Sequence, residues 1–144
     1  MLDVLFVEPN SSHVYQALAD KYSAIETPTW ALLLAQSCRS KGFNVNILDA
    51  NALRYSPSQV VDELCEYGYD HKGGLPRLIC FVVYGQNPNS GTTNMAGAIR
   101  EAEAIKKEFP EQRIAFVGSH MSALPREVLK HDCVDFVFTN EGVY

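Results

Sequence analysis

With 144 residues the chain has room for one domain, and folding at that length buries roughly two-thirds of the surface an unfolded chain exposes. An apolar share of 47% and a charged share of 20% are those of an ordinary soluble globular protein. Seventeen acidic against twelve basic side chains give a net charge of −5, which repels phosphate backbones; no basic patch offsets it, so nucleic-acid binding is disfavoured.

Lys106 and Lys107 sit among Glu101, Glu103 and Glu108, which reads as a solvated helix face. No apolar run approaches the ~20 residues of a membrane span. MLDVLFVEPNSSH lacks the basic start and small-residue cleavage site of a secretory signal. Cys38, Cys65, Cys80 and Cys133 form no CxxC pair, and three lie within apolar patterns. They read as buried free thiols of a cytoplasmic protein, not as a disulfide framework or metal site.

Along the chain, LDVLFV (2–7) is continuously apolar apart from Asp3, as a strand covered on both faces is. In the segment 10–25, Val14, Leu18 and Tyr22 hint at a short helix that leaves His13 on the surface. Trp30, Leu33, Leu34 and Cys38 recur at helical spacing, and Gly42 closes that helix. NVNIL (44–48) alternates as a strand. Ser56-Pro57 opens a helix whose buried stripe is Val60, Val61, Leu64 and Cys65. YDHKGGLPR (69–77) is a glycine-rich connection.

LICFVVY (78–84) is the most hydrophobic strand and is predicted to be central. Asn89 or Ser90 then caps a long helix with Met95, Ala98, Ile99, Ala102, Ile105 and Phe109 inward, ended by Pro110. RIAFV (113–117) is the fourth strand. After a polar loop, a short helix runs from about Pro125 to Lys130, with Ser122 helping to cap it, and VDFVF (134–138) is the fifth strand. Such alternation predicts an α/β fold: a five-stranded parallel sheet in flavodoxin-like order 2-1-3-4-5, with helices on both faces.

Ligands of such sheets bind beyond the carboxyl ends of the strands, near the point where strand order reverses. Those ends carry Glu8-Pro9-Asn10-Ser11, the run from Gly85 to Thr93, Gly118-Ser119-His120-Met121-Ser122, and Asn140-Glu141-Gly142. All are small, amide- or hydroxyl-bearing segments that offer neutral hydrogen bonds and bare backbone to something large and flat. A phospho-acceptor receiver would need an aspartate closing the third strand, where Tyr84-Gly85 stands instead. PNSSHVYQ is a poor flavodoxin phosphate loop, and GxGxxG, GxxxxGK[ST] and GxSxG are all absent.

Four stretches carry a family pattern. ETPTWALLLAQSCRSKGFNVNILDA (26–50) supplies a Pro-rich lead-in, a helix and a strand ending in Asp-Ala. Gly85-Gln86-Asn87 forms the turn after the third strand, and VGSHMSALPREVL (117–129) follows Gly-x-His-x-Thr/Ser-Ala-Leu-Pro-x-Glu. VDFVFTNEGVY (134–144) is similar to Val-Asp-Phe-Val-x-x-Gly-Glu-Gly. In this order they resemble the N-terminal cobalamin-binding domain of cobalamin-dependent radical S-adenosylmethionine enzymes. Two residues depart from it: Asn140 replaces a glycine, and Val117 replaces the first of a Gly-Gly pair, narrowing the room for a cofactor tail.

The resemblance implies that residues 1–144 are a Rossmann-like cobalamin-binding domain, an N-terminal part of a larger enzyme. It implies cofactor contacts at Pro9, Asn10, Thr27, Trp30, Gly85, Gln86, Asn87, Pro88, Ser90, Gly118, Ser119, His120, Ser122, Glu141 and Gly142. For Trp30 core packing is the first expectation and ring contact the second. His120 is expected to bond within its loop or to the cofactor's amides or nucleotide. Glu141 either contacts the corrin or satisfies backbone donors.

No DxHxxG occurs, the only Asp-His neighbours being Asp70-His71 and His131-Asp132. The implied cobalamin is therefore base-off, with no protein histidine on cobalt. The chain itself carries no catalytic residue and no metal ligand. In the family a following barrel, with a CxxxCxxC that holds a 4Fe-4S cluster, cleaves S-adenosylmethionine, and cobalt carries a methyl group to a substrate carbon or phosphorus. Two alternatives stand beside this reading: a ligand-free flavodoxin-like interaction or regulatory module, and an FMN-binding domain.

Overall fold

The structure, a computed structural model, describes residues 1–14, 25–70, 74–85 and 88–140, with 68–70 and 88–90 as backbone only. The expected short helix within 10–25 and the connection at 71–73 fall wholly or partly outside the described residues. Five strands, β1 (Val4–Glu8), β2 (Val45–Asp49), β3 (Leu78–Val83), β4 (Ile114–Gly118) and β5 (Phe136–Phe138), form one sheet in the order β2-β1-β3-β4-β5. Every neighbouring pair is parallel. The expected flavodoxin-like α/β architecture is therefore what the chain adopts.

Alternation along the buried strands feeds two cores. Leu5, Val7, Ile79, Phe81, Ile114 and Phe116 face α2 (Pro57–Asp70) and α3 (Pro88–Glu108), meeting Val60, Leu64, Ala98, Ala102 and Ile105. Phe6, Cys80, Val82, Ala115 and Val117 face the other way, onto Ala31, Leu34 and Ala35 of α1 (Thr29–Ser40). Val117 is therefore a core residue on the α1 face and is 1% exposed; its side chain packs in the sheet and does not crowd the turn after β4.

Local chemistry explains the element boundaries. Ser56 and Gln59 form a reciprocal cap at the start of α2: the Gln59 N–H donates to Ser56 Oγ (3.3 Å), and the Ser56 N–H donates to Gln59 Oε1 (2.9 Å). Gly42, at φ +88°, closes α1 as expected. Of the expected α1 stripe, Leu34 is buried and Trp30 and Cys38 pack against the same core, but Leu33 does not. Leu33 is 46% exposed, and the small Ala31 and Ala35 take the inner positions, letting the helix lie close to the sheet.

Three further boundaries differ. Helix α3 begins at Pro88, so Asn89 and Ser90 lie inside its first turn instead of capping it. The polar loop expected after β4 is a helical turn, α4 (Ser119–Ala123), and α5 (Pro125–Val128) follows with no side-chain cap. Ser122 thus caps nothing downstream. Strand β5 is shorter than 134–138, because the Val134 N–H closes a turn on the His131 carbonyl (3.0 Å).

The Asp135 carboxylate accepts hydrogen bonds from the Ile114 N–H (2.7 Å) and from Lys106 Nζ (2.8 Å), tying the start of β5 to β4 and α3. All four cysteines are free; Cys80 and Cys133 are buried, while Cys38 and Cys65 are half-buried. Among the described residues, no helix is long and apolar enough to cross a membrane.

Candidate functional site

The strand order reverses between β1 and β3, and a cleft opens there at the carboxyl end of the sheet. Glu8 closes β1, Tyr84 and Gly85 follow β3, the lead-in to α1 supplies Glu26, Thr27 and Pro28, and its first turn Thr29 and Trp30; together these enclose about 320 Å³. One wall is aromatic. The rings of Trp30 and Tyr84 stack with centroids 4.4 Å apart and planes 18° from parallel. The Tyr84 hydroxyl donates to the Asn140 carbonyl (3.1 Å), and Asn94 Nδ2 donates to the Tyr84 carbonyl (2.9 Å). The wall is thereby tied to the end of β5 and to α3.

A larger cavity, about 610 Å³, lies at the other end of the sheet, lined by residues that precede β3 and β4, among them Leu75, Arg77, Glu111 and Arg113. It sits away from the strand-order reversal and from the polar turns. We therefore place the site at the smaller cleft.

The turn after β1 holds itself together. Asn10 is used on all sides: its N–H donates to Glu101 Oε1 (2.9 Å), its Nδ2 to the Tyr55 carbonyl (2.8 Å), and its Oδ1 accepts from the Ser12 N–H (3.0 Å). Pro9 is buried. These two expected contact residues build the turn that carries Glu8 and present little to a ligand themselves. Gly118 is likewise buried, against the Val83 carbonyl.

Ser119 is exposed and His120 half-exposed on α4, with His120 Nδ1 3.5 Å from Thr92 Oγ1 of α3. Ser122 donates to the Gly118 carbonyl (3.2 Å) and accepts from the Asn140 N–H (2.9 Å), joining the ends of β4 and β5. Thr27, Trp30 and Gly85 meet at the cleft, and Trp30 also packs against the core on the α1 face, its first expected role. Pro88 and Ser90 begin α3, and Gln86, Asn87, Glu141 and Gly142 lie outside the described residues. His13 is exposed, as read from the sequence.

Two carboxyls near the cleft are held far above their ordinary range. Burial pushes Glu8 up to about 8, aided by the neighbouring carboxylates of Asp49 and Glu26. Burial also pushes Glu101 up to about 8, against the opposing pull of the Asn10 N–H and Arg100. Glu101 is 1% exposed, and its second oxygen has no hydrogen-bond partner. A proton is the cheapest way to neutralise such a group. Neither Glu8 nor Tyr84 was among the expected contacts. Their signals are a carboxylate closing an apolar run and an aromatic residue just before a strand-end glycine.

Comparison with known families settles the class. The B12 binding domain family matches residues 15–144. The chain belongs to the B12-binding domain family. Among curated proteins none matches its sequence. Its fold is similar to that of a radical S-adenosylmethionine methyltransferase, TsrM, from Kitasatospora setae, solved with tryptophan substrate and a SAM analogue: TM-score 0.68 at 16% identity, over 99% of this chain and 24% of that one.

A second structure of that enzyme, with cobalamin and a [4Fe-4S] cluster bound, gives a TM-score of 0.58 at 16% identity, over 95% of this chain and 22% of that one. A putative pilus assembly-related protein from Burkholderia pseudomallei gives 0.51 at 11% identity, over 96% of this chain and 78% of that one. The B12-binding domain thus spans about a quarter of the methyltransferase's length.

The cleft can be tested against a corrinoid. At about 320 Å³ it is at the low end of small-molecule pockets and cannot enclose a tetrapyrrole. It is open, however, and offers a flat aromatic wall, two threonines and the backbone of Gly85. Those features fit the rim and side-chain amides of a corrin lying across the carboxyl end of the sheet.

Proposed function

We propose that this B12-binding domain holds base-off cobalamin over the Trp30–Tyr84 cleft, as the cofactor domain of a radical S-adenosylmethionine methyltransferase or a related enzyme. The observation that carries this is the coincidence of the family match with a cleft at the strand-order reversal. Bound cobalamin would supply a cobalt centre able to carry a methyl group. This chain's residues do the positioning. The Trp30–Tyr84 pair offers apolar area, while Thr27, Thr29 and the Gly85 backbone offer neutral hydrogen bonds to amides.

The absence of DxHxxG from the sequence supports cobalt without a protein imidazole. The 4Fe-4S cluster and S-adenosylmethionine belong, in this proposal, to a partner barrel. FMN is the poorer tenant, because the carboxylates of Glu26 and Asp49 beside the cleft oppose a phosphate.

The test is retention. Purified protein mixed with hydroxocobalamin and desalted should elute coloured, with an altered corrin absorbance. Complete loss of colour, above all with FMN retained under the same conditions, would overturn the proposal.

A further inference from the structure

Resting on the cobalamin reading, we infer that Glu26 and Asp49 make the Trp30–Tyr84 cleft select against the phosphate of the corrinoid nucleotide loop, so that the domain prefers a corrinoid lacking that loop. The strands set the geometry. Glu8 closes β1 and pairs in register with Asp49 at the end of β2. Strand alternation puts both on the face of Phe6 and Ile47, toward α1. Glu8 and Glu26 line the cleft together with Trp30 and Tyr84.

The cleft has little to balance a phosphate. Among the described residues no Lys or Arg lines it. Glu26 is exposed and Asp49 half-buried. Asp49 Oδ1 accepts from the Ala52 N–H (2.8 Å), a neutral partner that leaves the carboxylate its charge. The neutral donors are partly spent as well, since the Thr29 hydroxyl and N–H both donate to the Thr27 carbonyl (3.3 and 2.7 Å). The start of α1 does attract anions, with the equivalent of about half a positive charge. Two full negative charges outweigh it. The carboxamides around a corrin are neutral, so the loop phosphate is the group of cobalamin that these carboxylates oppose. At about 10 Å in water each carboxylate weakens the binding of a phosphate roughly twofold. Removing the loop removes that cost.

The test compares the dissociation constants of cyanocobalamin and cyanoaquacobinamide, which carry the same cyanide on cobalt and differ by the nucleotide loop. Wild type should favour the cobinamide in about 20 mM salt, and about 500 mM salt should narrow that preference at least about fourfold. Glu26→Gln with Asp49→Asn, which keeps an oxygen for the Ala52 N–H, should lose about the same fourfold in low salt. Glu26→Gln alone, at an exposed position, should lose about twofold. Glu108→Gln with Glu111→Gln, beside the larger cavity, removes the same net charge and should keep the wild-type preference. Releasing the nucleotide base from cobalt burdens only cobalamin, but it does so alike in every variant. A preference indifferent to salt, one unchanged by the Glu26 and Asp49 substitutions, or tighter binding of cyanocobalamin in low salt would overturn the inference while leaving cobalamin binding intact. No binding of either corrinoid by wild type would overturn the cobalamin reading and this inference with it.

Discussion

Replacing Gly118 by alanine is expected to cost the fold at least about 3 kcal/mol, read as a large drop in the urea midpoint or failure to fold. Gly118 is the last residue of β4 and pairs in register with Val83. Its backbone lies at φ +153°, where side chains are rare, and an added Cβ would run into the Val83 carbonyl oxygen. It would also come within 2.7 Å of the Val83 carbonyl carbon and 2.9 Å of Met121 Cε. The Met121 side chain can turn away; the backbone of a central strand cannot. Relief requires parting β3 from β4 where α4 begins, which also moves Ser119 and His120.

Gly42 is the internal control. It too has positive φ (+88°), but an added Cβ there meets nothing within 4 Å. Gly42→Ala should cost only about 1–2 kcal/mol, the local strain alone. Equal midpoints for the two variants would show that the close approach of β4 to Val83 is not what fixes this end of the sheet.

The second large effect is on stability against pH. Glu101 is pushed from an ordinary 4.5 to about 8 by burial. Between those values the folded state keeps its proton while the unfolded chain loses one, so stability falls as pH rises. The slope is about 1.4 kcal/mol per pH unit from this group alone. Stability from this source is full below about pH 4.5, declines steadily above it, and levels once the folded group ionises near 8.

Glu101→Gln keeps an oxygen for the Asn10 N–H and cannot ionise, so its melting temperature should depend clearly less on pH between 5 and 8. The residual slope belongs to Glu8, raised in the same window. A wild-type protein equally stable at pH 5 and pH 8 would mean that water reaches the Glu101 carboxylate.

Much of the fold was legible because buried parallel strands are written as apolar runs, and the runs in VLFVE, LICFVV and IAFVG announce themselves. Boundaries were less legible where a side chain substitutes for the backbone ladder, as Asp135 does before β5. The SHMSA turn reads as a loop in the sequence because five residues are too few to show helical periodicity. In the α1 stripe Leu33 is the exception: its apolar side chain reads as core, yet the inner positions go to Ala31, Leu34 and Ala35.

At the site, the lead-in to α1 and the turn after β3 were both legible from position alone. The Trp30–Tyr84 stack was not, since it joins residues 54 positions apart whose meeting depends on which face of the sheet each strand end presents. Nor were the protonated carboxyls, because a glutamate's environment is set by the elements that fold over it.

In the proposed function a corrinoid lies across the carboxyl end of this sheet, at the Trp30–Tyr84 cleft. Amide chemical-shift mapping during a cobalamin titration tests it most directly. The shifts should concentrate at Thr27, Thr29, Trp30, Tyr84, Gly85 and Ser119. Shifts centred instead on Leu75, Arg77, Glu111 and Arg113, around the larger cavity at the opposite end, would contradict it.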